Sequence, residues 1–251
     1  MSSSADTQAG HRLAGKSAIV SGCAQGIGRA ILESFIAAGA TVIGIDIADQ
    51  GQAICDAQRP AASFRRMDVT SDEHWADLVR SLVDEPPAVL VNNAGGLLSS
   101  ATLHEHTPDV WRETLELNLT SVFLAMRSLI PLMLHRGSGS IINVGSVSGR
   151  VGQPDAAAYQ AAKAGVAMLT RNAAVTYSGY GIRVNTLTPS VVATPSLSSE
   201  SEERTAAFIA RVPLRRPATP VEVSAAAIFL ASDESSYVTG ADLAVDGGYL
   251  A

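Results

Sequence analysis

Residues 17–28 read Ser17-Ala18-Ile19-Val20-Ser21-Gly22-Cys23-Ala24-Gln25-Gly26-Ile27-Gly28, and residues 41–46 read Thr41-Val42-Ile43-Gly44-Ile45-Asp46. A short apolar run, 17–20, enters a glycine-rich turn, 21–28. Ile27, Ile31, Phe35 and Ala38 then recur at helical spacing until Gly39 stops the pattern. A second apolar run ends at Asp46. Strand, turn, helix and strand make one βαβ unit. Gly22, Gly26 and Gly28 are spaced G-x-x-x-G-x-G rather than G-x-G-x-x-G, but the physics is shared. Glycines let a backbone turn tightly, and the helix starting near Gly26 aims its N–H groups at an anion such as a pyrophosphate. Three glycines are common in loops; their place between strand and helix is what raises the signal. Asp46, eighteen residues past Gly28, stands where a carboxylate can accept hydrogen bonds from a ribose. A surface Asp ending a strand is the bland alternative. A carboxylate there repels a 2′-phosphate, and neither Gln25 nor Ile47 supplies a cation, so the pattern favours NAD over NADP.

The alternation continues outward. Residues 63–67 predict a strand ending at Asp68, 71–83 a helix capped by Thr70 or Ser71, and 88–91 a buried strand running into Asn92-Asn93-Ala94-Gly95. Residues 108–135 predict two helices meeting near Asn118, 140–144 a strand, 156–178 a long helix and 182–187 a strand. Residues 188–217 break the rhythm. Rich in Ser, Pro and Glu, with a short helical stretch at 202–211, they predict a mobile lid. A helix at 220–231 and a strand at 243–245 close the chain before Asp246-Gly247-Gly248. The expected fold is α/β: a single-domain doubly wound parallel sheet with helices on both faces, spanning 13–251. Residues 1–12 offer nothing to bury and predict a flexible tail.

Composition narrows the class. With 47% apolar and 17% charged residues the chain suits a soluble globular protein. A net charge of -6 lacks the basic balance of a nucleic-acid binder. Cys23 and Cys55 are too few and too far apart for a disulfide framework or metal spacing, and read as small buried residues. Residues 1–11 lack a secretory pattern, and no uninterrupted apolar stretch reaches the length of a membrane span. A cytoplasmic protein with no membrane, nucleic-acid or metal partner is expected.

Tyr159 and Lys163 are four apart, so on a helix they share a face. A nearby ammonium favours tyrosinate and lowers the phenol's pKa, which suits proton transfer near neutral pH. Alone, Y-x-x-x-K is weak, because any amphipathic helix can contain it. Ser146 lies thirteen residues upstream, just past a strand end.

The ordered set of these motifs resembles the short-chain dehydrogenase/reductase family, of the classical type. It comprises residues 21–28, Asp68-Val69, residues 92–95, Asn118, Ser146, Tyr159, Lys163, Pro189-Ser190 and residues 245–248, and covers nearly the whole chain from about Leu13. The resemblance implies a Rossmann-like fold and hydride transfer between NAD(H) and a secondary alcohol or ketone. By it, Tyr159 exchanges a proton with the substrate oxygen, Ser146 orients that oxygen, and Lys163 binds the nicotinamide ribose and tunes Tyr159. Asn118 supports a water chain from Lys163. Ser21, Gly22, Gln25, Gly26, Ile27, Gly28, Asp46, Ile47, Asp68, Val69, Asn93, Ala94, Gly95, Pro189, Val192 and Thr194 contact the cofactor. A homotetramer is also implied. Three features depart from the family: Ser21 replaces Thr, keeping the hydroxyl; Ser190 replaces a glycine, losing freedom at positive φ; and the stretch before Ala88 is short, with Pro86-Pro87, which predicts a tight turn.

Other residues have bland readings. His104 and His106 fit a solvated loop better than a ligand set, Arg150 a surface cation better than an acid-binding group, and Trp75 and Trp111 packing anchors. Glu200, Glu202 and Glu203 fit the acidic first turn of a helix. Two rival functions compete: a nucleotide-fold protein without chemistry, which the intact Ser, Tyr and Lys disfavour, and an epimerase or dehydratase, which usually has a longer C-terminal substrate domain. Leu97, Leu98, Ser99 and Ser100, with Val191, Val192, Leu197 and Phe208 of the lid, suit a modest secondary alcohol, cyclic or sugar-like.

Overall fold

The computed structural model describes residues 11–198 and 201–251. Among them, seven strands build one sheet: β1 (Ser17–Ser21), β2 (Thr41–Asp46), β3 (Ala62–Arg66), β4 (Val89–Asn92), β5 (Gly139–Val144), β6 (Ile182–Pro189) and β7 (Asp242–Val245). Their spatial order is β3-β2-β1-β4-β5-β6-β7, and every neighbouring pair is parallel. The order reverses between β1 and β4, which opens a crevice outside their carboxyl ends.

Successive residues of β1 point to opposite faces. Val20 joins one core with Ile31, Phe35 and Leu230, and Ile19 joins the other with Trp75, Leu129 and Met133. The first core lies under α1 (Gly26–Ala37) and a late helix, Pro220–Ala231. The second lies under helices drawn from the middle of the chain. Burial on both faces explains why the strands read as apolar runs rather than alternating ones.

Several boundaries differ from the sequence reading. A two-turn helix, α2 (Gln50–Asp56), joins β2 to β3 and was not anticipated. It packs closely on β3: a Cβ at Gly51 would lie 2.3 Å from the Phe64 ring. The next helix, α3 (Asp72–Arg80), starts at the predicted cap, where Ser71 Oγ accepts from His74 N. The two helices expected to meet near Asn118 are α4 (Pro108–Leu115) and α5 (Ser121–Arg136), fused by a π-helical turn, Glu116–Thr120. By length and mean hydropathy this fused run could cross a membrane, although Glu116, Asn118 and Arg127 interrupt it. Half of its most apolar window is buried, and Val122, Leu129 and Met133 belong to the core, so it is a core helix.

The long helix is α6 (Ala157–Tyr177). β6 extends through Pro189, so the lid starts later than its first predicted residue. Beyond it lie a Val192–Ala218 bridge, α7 (Pro195–Ser198), α8 (Glu202–Ala210) and then α9 (Pro220–Ala231). Ser201 Oγ caps α8, and Glu202 and Glu203 fill its first turn; Glu200 lies outside the described residues. Residues 1–10 of the expected tail also lie outside them. Arg12 is ion-paired to Glu234, and Leu13 is buried with its N–H on the Ala38 carbonyl.

Candidate active site

The crevice at the β1/β4 reversal is a cavity of about 510 Å³. Its first end is built by the glycine turn. Gly22 and Gly26 have φ of +68° and +57°, which L side chains rarely adopt. A Cβ at Gly28 would lie 2.0 Å from the Gly22 carbonyl oxygen, so no side chain fits there. Across the cleft, Thr194 stands so close that a Cβ at Gly26 would meet its methyl at 3.2 Å. Asp46 accepts from Ala24 N at 2.9 Å and Ala48 N at 3.0 Å, which fixes its carboxylate at the end of β2. Bare backbone at a helix N-terminus, a fixed carboxylate one strand away and a long cleft fit a dinucleotide.

Of the residues predicted to contact a cofactor, Gly22, Gln25, Gly26, Ile27, Asp46, Ile47, Asp68, Val69, Asn93, Ala94, Gly95, Tyr159, Lys163, Pro189, Val192 and Thr194 line the cavity. Ser21 and Gly28 lie behind its wall. The Ser21 hydroxyl accepts from Asn93 N and Ala94 N and donates to the Val91 carbonyl, so it clamps the β4 turn. Asn118 is likewise behind the wall and fully buried. Its side chain bonds both the N–H and the carbonyl of Gly96 and, from the π turn, donates back to the Thr114 carbonyl in α4.

One cation was missed. β2 and β3 pair Asp46 with Arg66, and Arg66 Nε donates to the Ile47 carbonyl at 3.2 Å and lies 3.3 Å from Asp49. A basic group thus stands beside Asp46 in space, twenty residues away in sequence. Both of its contacts turn it toward the backbone and Asp49.

The second end is catalytic in composition. Ser146, just past β5, lines the cavity together with Tyr159, and its Oγ accepts from Ser148 N at 3.1 Å. Lys163, one turn further along α6, is buried; its Nζ donates to the Val144 carbonyl at 2.9 Å and lies 5.6 Å from the Tyr159 ring centroid. Burial pushes the lysine down to about 8. The expected lowering of the Tyr159 pKa is corrected here. Burial dominates and pushes the phenol above its ordinary value, the nearby Ser146 hydroxyl acting the other way. The ammonium sits over the ring and on a carbonyl, so its pull on the phenolate is not among the leading effects.

The entry to α6 is strained. Asp155 and Ala156 have φ of 64° and 54°, which costs L residues roughly 1–2 kcal/mol each. Gln160 holds this turn: Oε1 accepts from Gln153 N, and Nε2 donates to the carbonyls of Gln153 and Asp155. The feared strain at Ser190 does not arise. Ser190 is outside the positive-φ set, and its hydroxyl donates to the Asp246 carbonyl.

Beyond Tyr159 the cleft widens between Leu97, Gln153, Leu197, Arg204, Phe208 and Tyr249. Leu97, Val191, Val192, Leu197 and Phe208 were anticipated; Leu98, Ser99 and Ser100 do not line it. Gln153, Arg204 and Tyr249 were missed. Gln153 Nε2 donates to the Tyr249 hydroxyl at 3.0 Å, a contact across 96 residues that no local pattern signals. His104 is exposed and His106 half-buried, both bonded at Thr102; Arg150 is an exposed cation ion-paired to Asp242; and Trp75 is buried with its N–H on the Val69 carbonyl, whereas Trp111 is only half-buried.

A family model described as enoyl-(acyl carrier protein) reductase matches residues 22–250. The chain is 43% identical to the cis-4-hydroxycyclohexanecarboxylate dehydrogenase of Sinomonas cyclohexanicum, covering 96% of this chain and 99% of that one. It is 40% identical to the 3-alpha-(or 20-beta)-hydroxysteroid dehydrogenase of Mycobacterium tuberculosis (96% and 91%) and 38% to the cyclopentanol dehydrogenase of Comamonas testosteroni (96% and 99%). A crystal structure from Beutenbergia cavernae, assigned as an NAD(P)-dependent gluconate 5-dehydrogenase with NADP at low occupancy, superposes with a TM-score of 0.90 at 38% identity, covering 95% and 98%. Fold, cleft and relatives define a hydride-transferring oxidoreductase that uses a nicotinamide cofactor. The chain belongs to the short-chain dehydrogenase/reductase family.

Proposed function

We propose that this protein interconverts a cyclic secondary alcohol and its ketone with NAD(H), Tyr159 acting as general acid/base. The observation that carries the reading is Ser146, Tyr159 and buried Lys163 brought together in one cleft whose other end presents Asp46. When bound, the nicotinamide supplies or accepts the hydride. In reduction, negative charge grows on the ketone oxygen, and donors must already be in place for it. The Ser146 hydroxyl orients that oxygen and the Tyr159 phenol gives it a proton. In oxidation the proton passes back to Tyr159. Lys163 is positioned for the nicotinamide ribose, and Asn118 holds the Gly96 backbone beside it. Asp46 favours NAD. The cyclic-alcohol dehydrogenases among the relatives support an alicyclic substrate. We infer a cytoplasmic enzyme, in keeping with its two buried free thiols.

Tyr159→Phe keeps the ring and removes the acid. Its kcat on an accepted cyclic alcohol should fall by roughly 10²–10⁴, with the fold and NADH binding retained. Because burial holds the phenol above its ordinary range, wild-type oxidation should climb with pH and show no plateau near neutrality. A Phe variant with near-normal kcat would assign the proton transfer to another group.

A further inference from the structure

Resting on that dehydrogenase reading, we propose that Arg150 is a positioning residue: paired with Asp242, it sets the angle at which the Ser146 hydroxyl meets the reacting oxygen. Ser146 and Arg150 flank one 3₁₀ turn, Val147–Gly149. Ser146 Oγ accepts from Ser148 N at 3.1 Å, the Ser146 carbonyl from Gly149 N at 2.9 Å and the Val147 carbonyl from Arg150 N at 2.9 Å, which ties the five residues into one unit. Two tethers bracket that unit. Before it, Gly145 N donates to the Leu187 carbonyl at 2.8 Å. After it, Arg150 Nη1 lies 3.1 Å from Asp242 Oδ2, and Asp242 Oδ1 accepts from the hydroxyl of Thr188, the neighbour of Leu187. Both tethers thus end on β6, whose last residue, Pro189, lines the cleft.

This pair differs from the other described ion pairs. The Asp242 side chain is 8% exposed, whereas every side chain in the others is 23% exposed or more. Its Oδ2 is enclosed by protein and has no hydrogen-bond partner, so the guanidinium beside it is the charge that offsets its burial. Exposed ion pairs fix geometry weakly, but a cation that answers a buried carboxylate has one favourable place to sit. The turn has little slack in which to absorb a shift. A Cβ at Gly145 would lie 2.7 Å from the Thr186 methyl, and one at Gly149 would lie 2.7 Å from the carbonyl carbon of Lys163. The turn is wedged between β6 and α6, the helix that carries Tyr159 and Lys163. Releasing Arg150 therefore moves Ser146 relative to the groups it must work with.

The test is a double-mutant cycle of Arg150→Met and Ser146→Ala in the full-length enzyme with NAD, on the better substrate of cyclopentanol and cyclohexanol. Misplacing a reacting group by about 1 Å costs up to about 100-fold, so Arg150→Met should lower kcat by roughly 10- to 100-fold, with NADH affinity retained and Arg150→Lys recovering part of the rate. Ser146→Ala keeps the Tyr159 phenol and so keeps a rate to measure. In that background Arg150→Met should change kcat by no more than about twofold, because no hydroxyl is left to misplace. A pair that only holds the fold together would cost the same factor in both backgrounds. Equal losses in the two, or a folded Arg150→Met enzyme whose kcat stays within about twofold of wild type, overturns the proposal. Should Arg150→Met not fold, Arg150→Met with Asp242→Asn leaves no unpaired carboxylate and is held to the same outcomes. Failure of the dehydrogenase reading looks different: the wild type turns over neither alcohol nor the matching ketones.

Discussion

Asp46 accepts one backbone N–H at each carboxylate oxygen and still faces the cleft. A ribose diol placed there meets a fixed acceptor, whereas a 2′-phosphate meets a like charge. Asp46→Ala should therefore lower the ratio of kcat/KM for NAD over NADP by roughly 10- to 100-fold, the worth of a charged hydrogen bond. Adding Ile47→Arg should reverse the preference, and Arg66 on the adjacent strand already lends the variant a cation. The ratio is the right readout, since loss of turn stability affects both cofactors alike. A wild type that uses NADP as well as NAD, or a ratio untouched by Asp46→Ala, defeats this reading. At this scale the sequence was legible where a role follows from local spacing. Tyr159 and Lys163 share a helix face, and Asp46 ends a strand after a glycine turn. It was illegible where the role is set by pairing at a distance, as for Arg66 across β2 and β3 and for Gln153 on Tyr249. The Tyr159 pKa direction was misjudged for a related reason: spacing shows that the ammonium is near, but not that it rests on a carbonyl in a buried site.

Elements were legible when a long apolar stripe and caps agreed. The reading of 220–231 matches α9, whose Thr219–Glu222 capping box and leading proline are all local signals. By contrast, α2 spans two turns and buries only Gly51 and Cys55, too little for a period to emerge. The π turn around Asn118 was read as a break because apolar spacing shifts there; the chain adds a residue to the turn instead of ending the helix. The alanines at the entry to α6 and along it divide between two faces. Ala156 and Ala167 pack inside the monomer, while Ala161 and Ala164 are exposed in line with Met168 and Val175, which are 61% and 84% exposed. Small residues let two helices approach closely, and exposed Met and Val give such a contact its apolar area. We expect this strip to meet its copy in a homotetramer. Light scattering should give a tetrameric mass, and Met168→Glu with Val175→Glu should lower it by burying like charges against one another. A monomeric wild type at working concentration, or a double variant of unchanged mass, would send these residues back to ordinary surface.

For the molecule as a whole, Lys163 couples the catalytic cleft to global stability through pH. It sits under the sheet's carboxyl edge, 5% exposed, and burial lowers it from an ordinary 10.5 to about 8. Below pH 8 both folded and unfolded chains carry the charge, and the fold bears the cost of burying it. Between about 8 and 10.5 the unfolded chain binds the proton and the folded chain has released it. Unfolding stability therefore rises with pH through that window, since the unfolded state holds more protons. Integrated over the gap, the gain is about 3 kcal/mol. Other groups titrate there too, including Cys23 and Cys55, whose thiols burial pushes up. They are common to wild type and Lys163→Met, a substitution that keeps the side chain's length and loses the charge along with its bond to Val144. Urea denaturation of both proteins at pH 7 and pH 10.5 isolates the lysine in the difference. Wild type should gain on the variant by about 2–3 kcal/mol across the range, whichever is the more stable at pH 7. A constant difference would mean that Lys163 keeps its proton as tightly folded as unfolded. The cleft would then hold its ammonium without strain, and burial would not be what readies this lysine for a partner.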